Sequence, residues 1–136
     1  MILSQSNASA ALSAMTSNLG TNTEFAIYSG TAPAGPDTGL SGNTLLVSGQ
    51  VSSWATPTYN ASTSGMASSG TMSSGSYNPA ASGTASFARL MTSGGTAEIQ
   101  LTVGTSGADV ILGNTSIQTG VPVTMSMQLT VPSQSV

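Results

Sequence analysis

The chain has 136 residues, a length that suits one domain and leaves room for a real core. Charged side chains make up 4 % of it, where an average domain carries about 25 %. Arg89 is the one basic side chain, the acids are Glu24, Asp37, Glu98 and Asp109, and cysteine, histidine and lysine are missing. Those absences exclude disulfides and zinc sites built from Cys and His, and one Arg cannot neutralise several phosphates, so neither nucleic acid nor an anionic membrane is an expected partner.

The apolar fraction of 38 % argues for a folded chain rather than a disordered one. With so few charges its surface must consist of hydroxyls and amides, and Ser and Thr fill 44 positions. Such a surface has little charge repulsion to hold copies apart, so the chain is not expected to live as a free monomer. No apolar run reaches the roughly 18 residues of a membrane span. Met1 to Ser4 carry no positive side chain and lead into no long apolar segment, so no secretory signal is expected. Without one, the sequons at Asn7, Asn60 and Asn114 read as chance.

Along the chain, Ala8, Ala11, Leu12, Met15 and Leu19 recur at three- and four-residue spacing and predict a helix over 6–19, capped by Ser6 or Asn7 and stopped at Gly20. The period then becomes two. Phe25 and Ile27 share one face of a strand at 24–28, residues 33–43 form a Pro/Gly loop, and Leu45, Val47 and Val51 share one face of a strand at 44–51. Trp54, Pro57 and Tyr59 follow less regularly. Residues 61–76 are Ser/Gly-rich and read by composition as a surface loop; the alternative is a strand of tiny side chains with Met66 and Met72 anchoring a hairpin. Residues 84–91 form a strand of ambiguous facing. Ala97, Ile99, Leu101 and Val103 alternate with polar residues, 109–112 is a short strand, and Val121, Val123, Met125, Met127, Leu129 and Val131 alternate over six pairs. Pro122 fits only near the start of that last strand or on an edge.

Several short strands separated by turns indicate a sandwich or a barrel. The expected architecture is an all-β antiparallel sandwich, jelly-roll-like, with a short N-terminal helix: an arm and helix at 1–20, the β domain at 21–131 with its loop at 61–76, and a tail at 132–136. Each strand has one apolar face, so the other is expected to meet water or a partner.

Proton chemistry lacks its usual groups. The many serines have no His or Lys to activate them, so the chain is expected not to be an enzyme, with no catalytic, cofactor-binding or metal-ligating residues. Asp37-Thr38-Gly39 matches the short signature of aspartic proteases, but those need a second carboxylate and an apolar strand before the triplet. Here Ala34-Gly35-Pro36 precedes it, and a solvated turn is the better reading. A carboxylate pair, or a calcium site using Asp37 or Asp109, is the remaining minor alternative. Arg89 sits in an apolar strand beside Phe87 and Met91. It reads either as a snorkelling or interface arginine paired with Glu98 or Glu24, or as a hot spot for a partner. Trp54 and Tyr59 read as core or loop packing first and as sugar platforms second.

The order of segments resembles a family of small bacteriophage virion proteins. The resemblance is carried by Phe25-Ala26-Ile27-Tyr28-Ser29-Gly30-Thr31-Ala32-Pro33-Ala34, the Asp37-Thr38 pair and Thr44-Leu45-Leu46. It continues with Gly83-Thr84-Ala85-Ser86-Phe87-Ala88-Arg89-Leu90, then Val103-Gly104-Thr105-Ser106-Gly107-Ala108-Asp109-Val110, Asn114-Thr115 and the final alternating strand. It covers nearly the whole chain, with 61–76 departing from the pattern. Such proteins look like capsid decoration, or cement, proteins in some phages. The resemblance implies a structural part on the outer surface of the capsid. Its partners would be the major capsid protein and further copies of itself, as a dimer or trimer, with no cofactor. Candidate contacts on this chain are the N-terminal segment, the exposed faces of edge strands, and Arg89, Trp54 and Tyr59. A tail or fibre component that recognises a host surface is the alternative, and a free Thr/Ser-rich adhesive or ice-binding surface is a third.

Overall fold

The computed structural model describes residues 1–135. Its first element is helix α1 (Gln5–Leu19), which starts one residue earlier than the periodicity suggests because Ser4, not Ser6 or Asn7, is the cap. Ser4 is extended, and its Oγ accepts the Asn7 N–H at 3.1 Å, satisfying one of the orphan donors of the first turn. Gly20, at φ +78°, ends the helix and donates its N–H to the Thr16 and Ser17 carbonyls. Ala8, Leu12 and Leu19 are buried while Ala11 is exposed, so the apolar stripe is narrower than expected.

Ten strands follow: β1 (Thr23–Tyr28), β2 (Leu45–Trp54), β3 (Thr58–Asn60), β4 (Gly65–Met72), β5 (Gly83–Thr84), β6 (Phe87–Met91), β7 (Ala97–Gly104), β8 (Val110–Leu112), β9 (Ser116–Ile117) and β10 (Met125–Pro132). The main sheet runs β10-β8-β7-β6-β1-β2-β4, and β4 pairs again with β10. The mostly β character and the N-terminal helix are as expected, but the architecture is a closed seven-stranded barrel rather than a two-layer sandwich. The reason lies in β10. Met125–Met127 pair with β8 and Gln128–Pro132 pair with β4, so one long strand joins both ends of the sheet. All pairings are antiparallel except β7 with β8, where Val103 and Gly104 run parallel to Val110 and Ile111.

The inward residues form one core. Phe25, Ile27, Val47, Val51, Leu90, Leu101, Val110, Met127 and Leu129 pack with Leu12 and Leu19 from α1 and with Leu46, Ala85 and Ile117. The helix lies against β4 and β10. It ends next to the start of β1, and its N-terminal approach is tied to the chain beyond β10, where Gln134 donates its N–H to the Leu3 carbonyl. A bulge at Leu46 lets both Leu46 and Val47 turn inward and leaves Leu45 38 % exposed, which breaks the expected alternation of β2.

The Ser/Gly-rich stretch is a loop only at its two ends, 61–64 and 73–76. Between them the strand of small side chains, the alternative reading, is present: Gly65–Met72 is a wall strand with Gly65, Met66, Ala67 and Ser68 buried. Small residues are required there because neighbours come close. A Cβ on Gly65 would lie 2.8 Å from Thr130 Cγ2, and one on Gly70 would lie 3.0 Å from both Trp54 Cζ3 and Val51 Cγ1. Gly49 serves a similar purpose in β2: an added Cβ would lie 2.8 Å from Phe25 Cε1 and run into the Tyr77 ring. That ring packs edge-on against Phe25, with centroids 5.0 Å apart at 87°. The last alternation is also shorter as a strand than as a pattern. Val121 is 57 % exposed and Val123 only bridges Tyr77, so β10 begins at Met125, beyond Pro122.

Candidate functional site

β1 and β6 are neighbours, paired Ala26 with Arg89 and Tyr28 with Phe87. Strand alternation turns Phe25, Ile27, Ala88 and Leu90 into the barrel and Ala26, Tyr28, Phe87, Arg89 and Met91 outward. The outward set was expected to meet water or a partner. Instead Ala26, Tyr28 and Phe87 are buried as a second small apolar cluster, with Met91 half-buried against it. The Tyr28 and Phe87 rings stack with centroids 5.3 Å apart and planes at 20°. The cover over this face is the chain between β1 and β2, which crosses it as a strap.

The strap has no ladder with the sheet. It is held by side chains that donate to its carbonyls. Arg89, only 6 % exposed, directs Nη2 at the Thr38 carbonyl (2.6 Å) and the Gly35 carbonyl (3.0 Å). Its Nε and Nη2 both reach Gln100 Oε1 at 3.3 Å. Gln100, the cross-strand neighbour of Arg89 on β7, in turn donates Nε2 to the Pro33 carbonyl at 2.8 Å. Ser86 Oγ donates to the Gly30 carbonyl at 2.6 Å, and Asn43 Nδ2 donates to the carbonyls of Ser29 (3.0 Å) and Thr31 (2.9 Å). The ion pair of Arg89 with Glu98 or Glu24 is therefore replaced by a guanidinium fork on backbone carbonyls. A buried charge needs several good acceptors, and carbonyls of a turn supply them at fixed positions. Asp37-Thr38-Gly39 belongs to this turn: Asp37 is exposed, the Thr38 N–H donates to the Gly35 carbonyl at 3.1 Å, and the Thr38 carbonyl takes the guanidinium.

The other two residues singled out by sequence lie elsewhere. Trp54 ends β2 and is half-buried against the core, with a long 3.5 Å hydrogen bond from Nε1 to Thr23 Oγ1. Tyr59 lies on β3 opposite Met66 of β4 and is also half-buried. Both strands border β4, whereas Arg89 stands across β1 on β6, so the three do not form one site. Gln100, Ser86 and Asn43 were not singled out. The alternation of β7 separates Gln100 from Ile99 and Leu101, but nothing in that pattern says that a loop 67 residues earlier supplies its acceptor.

The acids are dispersed. Asp109 Oδ2 accepts from both the N–H and the Oγ1 of Thr102 at 3.1 Å, which fixes the turn between β7 and β8. Among the described residues, no three His, Cys, Asp or Glu side chains come together in a way that could hold a metal ion, and no helix is long and apolar enough to cross a membrane. The arrangement around Arg89 can hold a loop in one shape; it offers no pair of groups placed to move a proton. No protein-family model, no curated protein and no solved structure matches this chain.

Proposed function

We propose that this chain is a non-catalytic structural part of a bacteriophage particle, a cement protein that binds the outer shell and ties neighbouring major capsid subunits together. One observation carries the reading: the single basic side chain is committed to the chain's own strap. What remains outward is a hydroxyl- and amide-rich barrel surface on a chain with 4 % charged residues. Such a surface associates through main-chain hydrogen bonds and scattered apolar contacts, which need no charge. The arrangement of segments that resembles small virion proteins points the same way. A host-recognition role would be favoured by aromatics displayed at a loop tip, and all six aromatic side chains here are buried or half-buried.

The mechanism is linkage. A protein that binds only the assembled shell stabilises that state in proportion to its affinity and concentration. Heating purified heads with and without the protein tests it. The expected result is a higher rupture temperature in its presence, with little difference between low salt and about 1 M NaCl, because screening acts on charges and this surface carries only a few scattered acids. An unchanged rupture temperature at saturating protein contradicts the cement role.

A further inference from the structure

The strap over the β1–β6 ribbon is held by its main chain and not by its side chains. Among the described residues, every hydrogen bond that the barrel donates into it ends on a carbonyl: Ser86 on Gly30, Gln100 on Pro33, and Arg89 on Gly35 and Thr38. None of these bonds reads a residue type, since every residue carries a carbonyl. Between Thr31 and Gly42 the main chain makes one main-chain hydrogen bond, from the Thr38 N–H to the Gly35 carbonyl, and it lies within the strap itself. The face below thus offers an array of fixed donors that any segment with suitably spaced carbonyls can use.

The strap uses that face incompletely. It roofs Ala26, Tyr28 and Phe87, yet no residue from Thr31 to Gly42 is itself buried. Pro33, Gly35 and Pro36 are half-buried, and its one large apolar side chain, Leu40, is 43 % exposed. Apolar area removed from water is what a stacked aromatic pair gains most from, and hydrogen bonds exchanged against water add little net. A segment held this way belongs to the parts of a fold that open most easily. Its two ends are built to pivot. Gly30 and Gly42 stand at φ +87° and +70°, a region that glycine enters freely, and just outside them the Ser29 N–H closes the base on the Thr44 carbonyl at 3.0 Å.

We propose that the strap is the resident occupant of a peptide groove, and that an extended segment of a partner chain displaces it. The chemistry of the groove defines that segment. Arg89, Gln100 and Ser86 supply donors to the strap and nothing there accepts from its N–H groups, so a proline-rich segment, which has few N–H groups to satisfy, fits best. It carries no basic side chain, because the groove already holds a buried guanidinium. It carries one large apolar side chain to lay on the Tyr28–Phe87 pair, and this is the advantage that the strap lacks. Until such a segment arrives, the strap keeps an aromatic face covered on a chain with too little charge to hold its copies apart. The inference rests on the reading of the chain as a shell-binding part, under which the displacing segment belongs to the major capsid subunit.

Two synthetic peptides test it: the strap sequence Thr31–Gly42, and the same sequence with Pro36→Phe at a half-buried position. Added to the isotope-labelled full chain, the Pro36→Phe peptide is expected to shift the amide signals of Tyr28, Phe87 and Gln100, to speed amide exchange at Thr38, and to bind at least about tenfold more tightly than the plain sequence. A second protein, with residues 32–41 replaced by a Gly/Ser linker, has its groove vacated. It should bind both peptides more tightly than the full chain does, and adding Arg89→Met to it should weaken binding at least about tenfold. Protected amides at Phe25, Ile27 and Leu90 check that its barrel is folded, and the full-chain titration decides the matter without it. Peptides that shift no signal at millimolar concentration, shifts confined to another part of the barrel, or unchanged Thr38 exchange at saturation overturn the displacement. Binding to phage heads with the strap still in place at Thr38 also overturns it and leaves the cement role standing. Peptide exchange in a chain without affinity for heads keeps the groove and removes the cement role.

Discussion

The two faces of the β1–β6 ribbon are built by different physics. The inner face, Phe25, Ile27, Ala88 and Leu90, is nearly or fully buried in a core of some sixteen apolar residues. It is stabilised by area removed from water, which is additive and non-directional. The outer face is also apolar, but its cover is a Gly/Pro-rich strap with few large side chains. There the burial of Tyr28 and Phe87 depends on hydrogen bonds with fixed directions, from Arg89, Gln100, Ser86 and Asn43. The inner face tells the chain to collapse. The outer face tells one loop where to lie.

Perturbing each face separately breaks or sharpens this contrast. Phe25→Ala removes the largest fully buried side chain and the partner of Tyr77; it should cost about 3–5 kcal/mol in denaturant-melt stability and loosen the whole barrel at once. Arg89→Met keeps the stem and removes the fork, leaving the Thr38 carbonyl without its donor and the Gly35 carbonyl with only the Thr38 N–H. Its expected cost is about 1–3 kcal/mol, confined to the strap and seen as dye binding to the uncovered Tyr28–Phe87 face. Gln100→Ala should cost about 1 kcal/mol. A double-mutant cycle with Arg89→Met should give a coupling of about 0.5 kcal/mol or more, because the two side chains touch; strict additivity would mean that they act independently. The smallest effect belongs to neither face. Ser4→Ala removes the cap of α1 and should lower stability by about 0.5–1 kcal/mol in the same denaturant melts.

What was legible in the sequence follows the same division. Elements whose burial comes from period-two or helical repetition were readable: α1, β1, β7 and the body of β10. β4 was readable only as the alternative to a loop, because its positions are selected for smallness. Gly65, Ala67, Ser68 and Gly70 leave room for Thr130, Val131 and Trp54, and small residues in a row look the same as a flexible linker. The closure of the barrel was hidden as well, since alternation fixes which side of β10 is apolar but not which two strands it joins. Arg89 stood out by composition alone. Its acceptors are backbone carbonyls, which have no letter in the sequence, so charge logic pointed to Glu98 and Glu24 instead.

The account turns on Arg89 serving the strap, and site-resolved hydrogen exchange on wild type and Arg89→Met tests this most directly. The prediction is that amides between Thr31 and Asn43 lose protection in the variant while those of Phe25, Ile27 and Leu90 keep theirs, as expected for one local unit opening by itself. Unchanged strap protection in the variant would contradict it and show that the guanidinium does not hold the strap.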